Sequence, residues 1–182
     1  DDFQIDTKTV IPFLDDPNLK LLFVCSPNNP TGNCIDEIDF ILKNFKGIVV
    51  VDEAYIDFST NASSSKKIDT YPNLIVSQTL SKAWGLASLR IGVAITNPEI
   101  IGYLNKIKPP YNISQANQEM ALSVLNQPRN FESKTMIILQ QKEILKRALS
   151  RIDLVLAIYP SETNFLLIKV SDADFIYKKL LD

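Results

Sequence analysis

The 182-residue chain contains no histidine. That excludes Ser-His-Asp and Cys-His nucleophile systems built from this chain alone, because both need an imidazole to take the nucleophile's proton. Cysteine is nearly absent as well. Cys25 and Cys34 are too few for a disulfide framework, so a reduced, cytoplasmic chain is the expectation. Without histidine they cannot complete a usual structural zinc site, and no metal is expected. There are only five glycines, and none falls in a G-x-G-x-x-G or G-x-x-x-x-G-K-[S/T] pattern. Neither a dinucleotide fingerprint nor a Walker loop is therefore available. An excess of either charge is also lacking: 19 basic and 21 acidic residues leave a net charge of -2. That balance offers no footprint for nucleic acid or a membrane surface. No apolar run reaches the length of a membrane span, and the first residues lack the layout of a secretory signal.

What is present is 46% hydrophobic residues, enough to bury the core of one soluble globular domain, or of one and a part. The chain starts at Asp1 rather than Met. It ends on "ADFIYKKLLD", an amphipathic helical pattern with no glycine cap or breaker after it. Together these ends lead us to expect a piece of a longer protein.

Three short apolar runs read as buried strands: "KLLFVC" (Lys20 to Cys25), "GIVVVD" (Gly47 to Asp52) and "NLIVSQ" (Asn73 to Gln78). They are rich in Val, Ile and Leu without alternation, as in parallel strands covered on both faces. A fourth run, "RIGVAIT" (Arg90 to Thr96), follows a connection shorter than the dozen or so residues of a parallel crossover, which points to an antiparallel partner. Between the first two runs, "CIDEIDFILKNF" (Cys34 to Phe45) has helical spacing, with Ile35, Ile38, Ile41 and Leu42 on one face. A strand-helix-strand unit of this kind belongs to a layered α/β sheet. "NASSSKK" (Asn61 to Lys67) reads as a polar surface loop.

From Asn97 the texture turns helical. "NPEIIGYLNKI" opens with an Asn-Pro entry, and "KPPYN" interrupts the chain. "SQANQEMALSVLNQ" follows with Ser114 as N-cap. A long helix is expected from Pro128 to about Arg151. "LVLAIYP" (Leu154 to Pro160) and "TNFLLIKV" (Thr163 to Val170) read as a hairpin that opens a smaller domain. The expected organisation is part of a large domain over 1–127, a connecting helix over 128–152, and the start of a small α+β domain over 153–182.

A polar cluster follows each of the first three strands, at the carboxyl end where open α/β sheets bind ligands. The clusters are "SPNNPTG" (Ser26 to Gly32), "DEAYIDF" (Asp52 to Phe58) and "TLSK" (Thr79 to Lys82), with Arg90 further on. Taken singly, each has a bland reading. "NNPTG" is a turn sequence. Asp52 alone serves equally well as a helix cap, and Tyr55 as a half-buried aromatic. Lys82 alone is a solvated helix lysine. Arg90 alone pairs with a carboxylate. Cys25 reads as a small core residue rather than a nucleophile. Glu53 reads as a surface group or a support for its neighbours.

As a set they are specific. A lysine amine condenses with an aldehyde. Pyridoxal 5'-phosphate needs such a lysine, and an acid that keeps its pyridine nitrogen protonated. Lys82 and Asp52 offer these. Asn29 and Tyr55 can donate to the phenolic oxygen, while Thr79, Ser81 and Arg90 offer hydroxyls and a cation for the phosphate.

In this order, "SPNNPTG", "VDEAYIDF" and "SQTLSKAWGLASLRIGVA" resemble the fold-type I pyridoxal-phosphate aminotransferases. "TLSKAWGLASLRIG" and "KPPYNIS" look most like the histidinol-phosphate aminotransferase family, and "YPSETNFLLIKV" is similar to the start of that family's small domain. The resemblance implies a three-layer, mostly parallel α/β sheet, cut short and followed by the start of a small domain. It implies that Lys82 binds the cofactor's aldehyde and then shuttles the substrate's proton. Asp52 would hold the pyridinium, and Asn29 and Tyr55 the phenolic oxygen. Thr79, Ser81 and Arg90 would contact the phosphate. The implied reaction transfers an amino group from an amino-alcohol phosphate or amino acid to 2-oxoglutarate, in a homodimer. Absent from this stretch are the family's N-terminal arm, the glycine-rich helix entry over the phosphate, the aromatic that stacks on the ring, and the arginine that clamps the substrate. A weakly active or inactive fragment is therefore the expectation. Two alternatives stay open: a threonine-phosphate decarboxylase, whose sequence looks similar, and an aminotransferase-like effector domain of a transcription regulator, which a basic helix-turn-helix segment before Asp1 would favour; against a degenerate domain without cofactor stands the intact set of Asn29, Asp52, Tyr55, Lys82 and Arg90.

Overall fold

Runs of Val, Ile and Leu with no polar face can be satisfied only by apolar layers, and they commit the first half of the chain to a sheet. The computed structural model describes residues 2–181. Parallel strands β1 (Leu21–Cys25), β2 (Ile48–Asp52) and β3 (Leu74–Thr79) lie side by side, and β4 (Gly92–Thr96) pairs antiparallel with β3. The order β1-β2-β3-β4 follows the chain. Register places Leu22 and Val24 beside Val49 and Val51, and these beside Leu74 and Val76. On this face they meet Leu14 of α1 (Thr7–Leu14) and Ile38, Ile41 and Leu42 of α2 (Ile38–Asn44). Each such side chain contributes about 1.5–3 kcal/mol by leaving water. Strand alternation turns Leu21 and Phe23 to the opposite face, where they are 56% and 69% exposed. At β1 the described residues thus supply two of the three expected layers. The sequence reading does not single out α1, whose start is capped by Asp6 accepting the Lys8 N–H at 2.9 Å.

Three local expectations need correction. The helix expected from Cys34 begins only at Ile38. Gln4 accepts the Asp36 N–H at 3.0 Å and donates to the Cys34 carbonyl at 2.8 Å, while Ser26 Oγ accepts the Ile35 N–H at 2.9 Å. The Cys34 carbonyl, which a helix from Cys34 would offer to the Ile38 N–H, is thus given to a side chain. The 61–67 stretch is not simply a surface loop, because Ser64–Lys67 forms a 3-10 turn in which Ser64 is buried. The hairpin's second strand is also shorter than expected.

The helical half follows the sequence reading more closely. Helix α3 (Pro98–Ile107) is capped by Asn97, which accepts the Ile100 N–H, and α4 (Gln115–Leu125) by Ser114, which accepts the Asn117 N–H. Helix α5 (Pro128–Leu149) runs unbroken for 22 residues. Strands β5 (Val155–Ile158) and β6 (Ile168–Val170) form the second, antiparallel sheet, and α6 (Ala173–Leu181) follows; Asp182 lies outside the described residues. Strand β6 starts late because the carbonyls before it are taken. Lys142 Nζ donates to Ser161 O at 2.8 Å and Thr163 O at 2.6 Å, and Ser161 Oγ donates to Phe165 O at 2.6 Å. Burial pulls the Lys142 ammonium below the usual lysine range, with the Glu162 carboxylate opposing. No helix among the described residues is long and apolar enough to cross a membrane.

Candidate functional site

The sheet register brings three strand ends level. Cys25 pairs with Asp52, and Asp52 with Ser77, so the loops leaving β1, β2 and β3 emerge from one edge. Asp52, the last residue of β2, is half-buried. Its Oδ1 accepts the Ala54 N–H at 3.0 Å, and Oδ2 has no hydrogen-bond partner among the described residues. Asn29 reaches over from the β1 loop, and its Nδ2 donates to the Tyr55 hydroxyl at 2.9 Å. A phenol that accepts this bond keeps its own proton to donate elsewhere. The Tyr55 ring is buried, edge-on to Phe165 at 5.2 Å, with Lys82 Nζ 5.2 Å from its centroid. The structure therefore groups Asn29, Tyr55 and Lys82 directly, with Asp52 at the end of β2, three residues before Tyr55.

Lys82 stands on a tight turn rather than a helix. The Leu80 N–H bonds Ile91 O at 3.1 Å, Gly85 N–H bonds Lys82 O at 3.0 Å, and Leu86 N–H bonds Leu80 O at 2.9 Å. Leu80 and Ala83 on either side are buried and anchor the turn, leaving the Lys82 amine exposed. Ala83 packs with Tyr55 and Phe58, and Trp84 stacks on Phe131 with centroids 3.8 Å apart. Thr79 and Gly92 are opposed across the β3–β4 ladder, so Ser81 and Arg90, each two residues further into the connection, stand at its neck. The Thr79 hydroxyl accepts the Ser81 N–H at 3.1 Å and donates to Ile91 O at 3.4 Å, which holds the turn. Arg90 is exposed, with φ 55°, and donates to Ala87 O at 3.1 Å.

Other groups near the site have different environments. Burial pushes the Cys25 thiol up, a backbone bond from Asn29 opposes this, and the Asp52 charge adds to it. Cys25 therefore stays protonated and is a poor nucleophile. Burial likewise raises the Asp57 carboxyl, against the Trp84 hydrogen bond and with a contribution from Glu53. A concavity of about 810 Å³ runs along α5 and is lined by Asp57, Phe131, Thr135 and Leu139 among others; none of the candidate residues lines it.

Of the two readings of Glu53, surface group or support for its neighbours, burial excludes the first: it is 2% exposed. The 161–165 loop also reaches the site. Phe165 packs on Tyr55, Glu162 accepts from the Ser59 hydroxyl at 2.8 Å and the Thr60 N–H at 3.1 Å, and Glu162 N–H donates to Gly32 O at 2.7 Å. The glycine ending "NNPTG" was the available signal for a close approach there.

Residues 1–182 match the family model for aminotransferase class I and II. The whole chain is 48% identical to the histidinol-phosphate aminotransferase of Parabacteroides distasonis and covers 53% of that protein. It superimposes on the histidinol-phosphate aminotransferase of Clostridium acetobutylicum with a TM-score of 0.89 at 25% identity, over 100% of this chain and 57% of that one. The L-threonine-O-3-phosphate decarboxylase of Porphyromonas gingivalis superimposes with a TM-score of 0.74 at 26% identity, over 86% of this chain and 49% of that one. The chain spans about half the length of the curated relatives it matches. With a mostly parallel α/β sheet of the fold-type I architecture and a family match over every residue, the chain belongs to the class I and II aminotransferases.

Proposed function

We propose that the protein is a pyridoxal 5'-phosphate-dependent aminotransferase that moves an amino group between histidinol phosphate and 2-oxoglutarate, in histidine biosynthesis. The observation that carries this reading is the grouping of Lys82, Tyr55 and Asn29 at the strand ends that also carry Asp52, Ser81 and Arg90. The donor set fits the cofactor group by group: an amine for its aldehyde, a carboxylate for its ring nitrogen, a phenol and an amide for its phenolic oxygen, and hydroxyl and guanidinium for its phosphate. When bound, the cofactor supplies an aldehyde and a ring that takes up the electrons of a broken bond at the substrate's α-carbon. Lys82 would hold the aldehyde and, once the substrate's amine has displaced it, would carry the α-proton on its freed Nζ. Asp52 would keep a proton on the ring nitrogen. Tyr55, oriented by Asn29, would donate to the phenolic oxygen. Ser81 and Arg90 would hold the phosphate at the neck of the turn, while Thr79 shapes that turn.

The similarity to the Parabacteroides distasonis enzyme, at 48% identity, supports the histidinol-phosphate substrate. The second reading, decarboxylation of threonine phosphate, draws on the 26% identity to the Porphyromonas gingivalis enzyme and is the weaker of the two. We assign 1–127 to part of a large cofactor-binding domain, 128–152 to the connecting helix and 153–182 to the opening of a small domain, within a longer cytoplasmic homodimer. The test uses the full-length protein with pyridoxal phosphate. Glutamate should form from histidinol phosphate and 2-oxoglutarate, and borohydride should fix the cofactor on Lys82. Carbon dioxide release from threonine phosphate without glutamate formation would establish the second reading. A label on another lysine would overturn the site.

A further inference from the structure

Glu53 follows Asp52 directly and points the other way. It is 2% exposed, and its carboxylate meets only neutral donors. Oε1 accepts the Ser64 N–H at 2.6 Å, while Oε2 accepts the Ser63 hydroxyl at 2.6 Å and Gln78 Nε2 at 3.0 Å. The Glu53 N–H donates to Ser77 O at 2.8 Å. Burying a carboxylate without a cation is costly unless its lone pairs are filled, and this one has three donors. A carboxylate held in this way ties its donors to one another.

Those donors lead towards the reacting groups. Gln78 precedes Thr79, whose hydroxyl receives the Ser81 N–H at 3.1 Å, and Ser81 precedes Lys82. On the other side Glu53 is bonded covalently to Asp52. The route from carboxylate to amine is thus Asp52, Glu53, Gln78, Thr79, Ser81, Lys82, with a short hydrogen bond or a few backbone bonds at each step. We propose that Glu53 is a positioning residue that sets the spacing between the Asp52 carboxylate and the Lys82 amine through Gln78. This rests on the pyridoxal-phosphate reading above. It goes beyond it by giving a role in the reaction to a residue that touches neither cofactor nor substrate. A purely structural role would instead use Glu53 to staple the 61–67 turn through Ser63 and Ser64.

The two roles are separated by cutting the two sides of the network in the full-length holoenzyme. Gln78→Leu removes the donor on the Lys82 side, and Ser63→Ala removes one on the turn side, where Ser63 Oγ also accepts Gln78 Nε2 at a longer 3.3 Å while Gln78 keeps its 3.0 Å bond to Glu53. Gln78→Leu should lower kcat about 10- to 100-fold, the cost of sub-ångström to 1 Å misplacement of reacting groups, with KM for the amino donor little changed. It should also weaken the visible circular dichroism of the bound cofactor, which reports how rigidly the ring is held. Ser63→Ala should leave both near wild type. Glu53→Ala should act like Gln78→Leu. Glu53→Gln should recover much of the loss, because the Ser63 hydroxyl and a turned Gln78 amide can both accept from the new amide. If Glu53→Ala does not fold, Gln78→Leu carries the test. Wild-type kcat and dichroism in Gln78→Leu would overturn the inference, as would a Ser63→Ala loss equal to that of Gln78→Leu. A wild-type protein with no cofactor absorbance and no label on Lys82 would instead overturn the cofactor reading, and this inference with it.

Discussion

Replacing Gly32 with alanine tests how the 161–165 loop supports the site. Gly32 has φ +82°, where a Cβ costs about 1–2 kcal/mol. An added Cβ would also stand 3.0 Å from Ser161 Oγ, 3.1 Å from its Cβ and 3.3 Å from its Cα. Ser161 cannot simply rotate away. Its hydroxyl bonds Phe165 O at 2.6 Å and Thr163 Oγ1 at 2.9 Å, and accepts the Thr163 N–H at 3.2 Å. Overpacking of this kind costs about 1–3 kcal/mol. The two contributions together come to about 2–5 kcal/mol, a large share of the roughly 5–15 kcal/mol that holds a domain. Gly85 is the internal control: its φ is +69°, but an added Cβ would meet nothing within 4 Å. Gly85→Ala should therefore carry the backbone cost alone, about 1–2 kcal/mol. Urea unfolding of both variants, compared at unchanged m, isolates the packing contribution. Because Phe165 rests on Tyr55, Gly32→Ala should also weaken cofactor affinity. Equal losses in the two variants, within about 0.5 kcal/mol, would show that Ser161 is not a rigid wall and would refute the argument.

Asp52→Asn should still bind pyridoxal phosphate but transaminate orders of magnitude more slowly, because a neutral pyridine is a poorer electron sink; near-normal turnover would remove Asp52 from that role. Asp57→Asn should raise the melting temperature near neutral pH. The folded-state pKa of Asp57 lies above its ordinary 3.8, so its favourable contribution is complete below 3.8 and is lost as pH rises through the raised value. The stabilisation should thus fade on acidification towards 3.8, and one that grows on acidification would contradict the assignment. Residues 1–182 alone should form little or no glutamate from histidinol phosphate and 2-oxoglutarate, since near-attack positioning of the substrate supplies much of the rate and the chain spans about half the length of its relatives. Turnover close to that of the full-length protein would show that the remaining segments are dispensable.

Much of the candidate site's placement was legible because each group sits within a few residues of a strand end. A buried parallel strand announces itself as a run such as Val49 to Val51, and the polar residues after it stand at the carboxyl edge whatever the rest of the fold does. A lone Lys82 between Ser81 and Ala83 was informative for the same local reason, as were the helix caps Asn97 and Ser114. Tertiary structure decided matters in which a polar group's partner is far away in sequence. Glu53 is interior only because donors arrive from Ser63, Ser64 and Gln78. Helix α2 starts late where Gln4, from 30 positions away, takes the Cys34 carbonyl. Strand β6 starts late because Lys142 and Ser161 occupy the preceding carbonyls, and Gly32 is confined by a serine 129 positions away. Hydrophobic periodicity is a property of neighbouring residues and survives in the sequence. The satisfaction of a buried hydrogen-bonding group depends on which distant donors and acceptors the fold brings within 3 Å or so, and only the assembled structure holds that information.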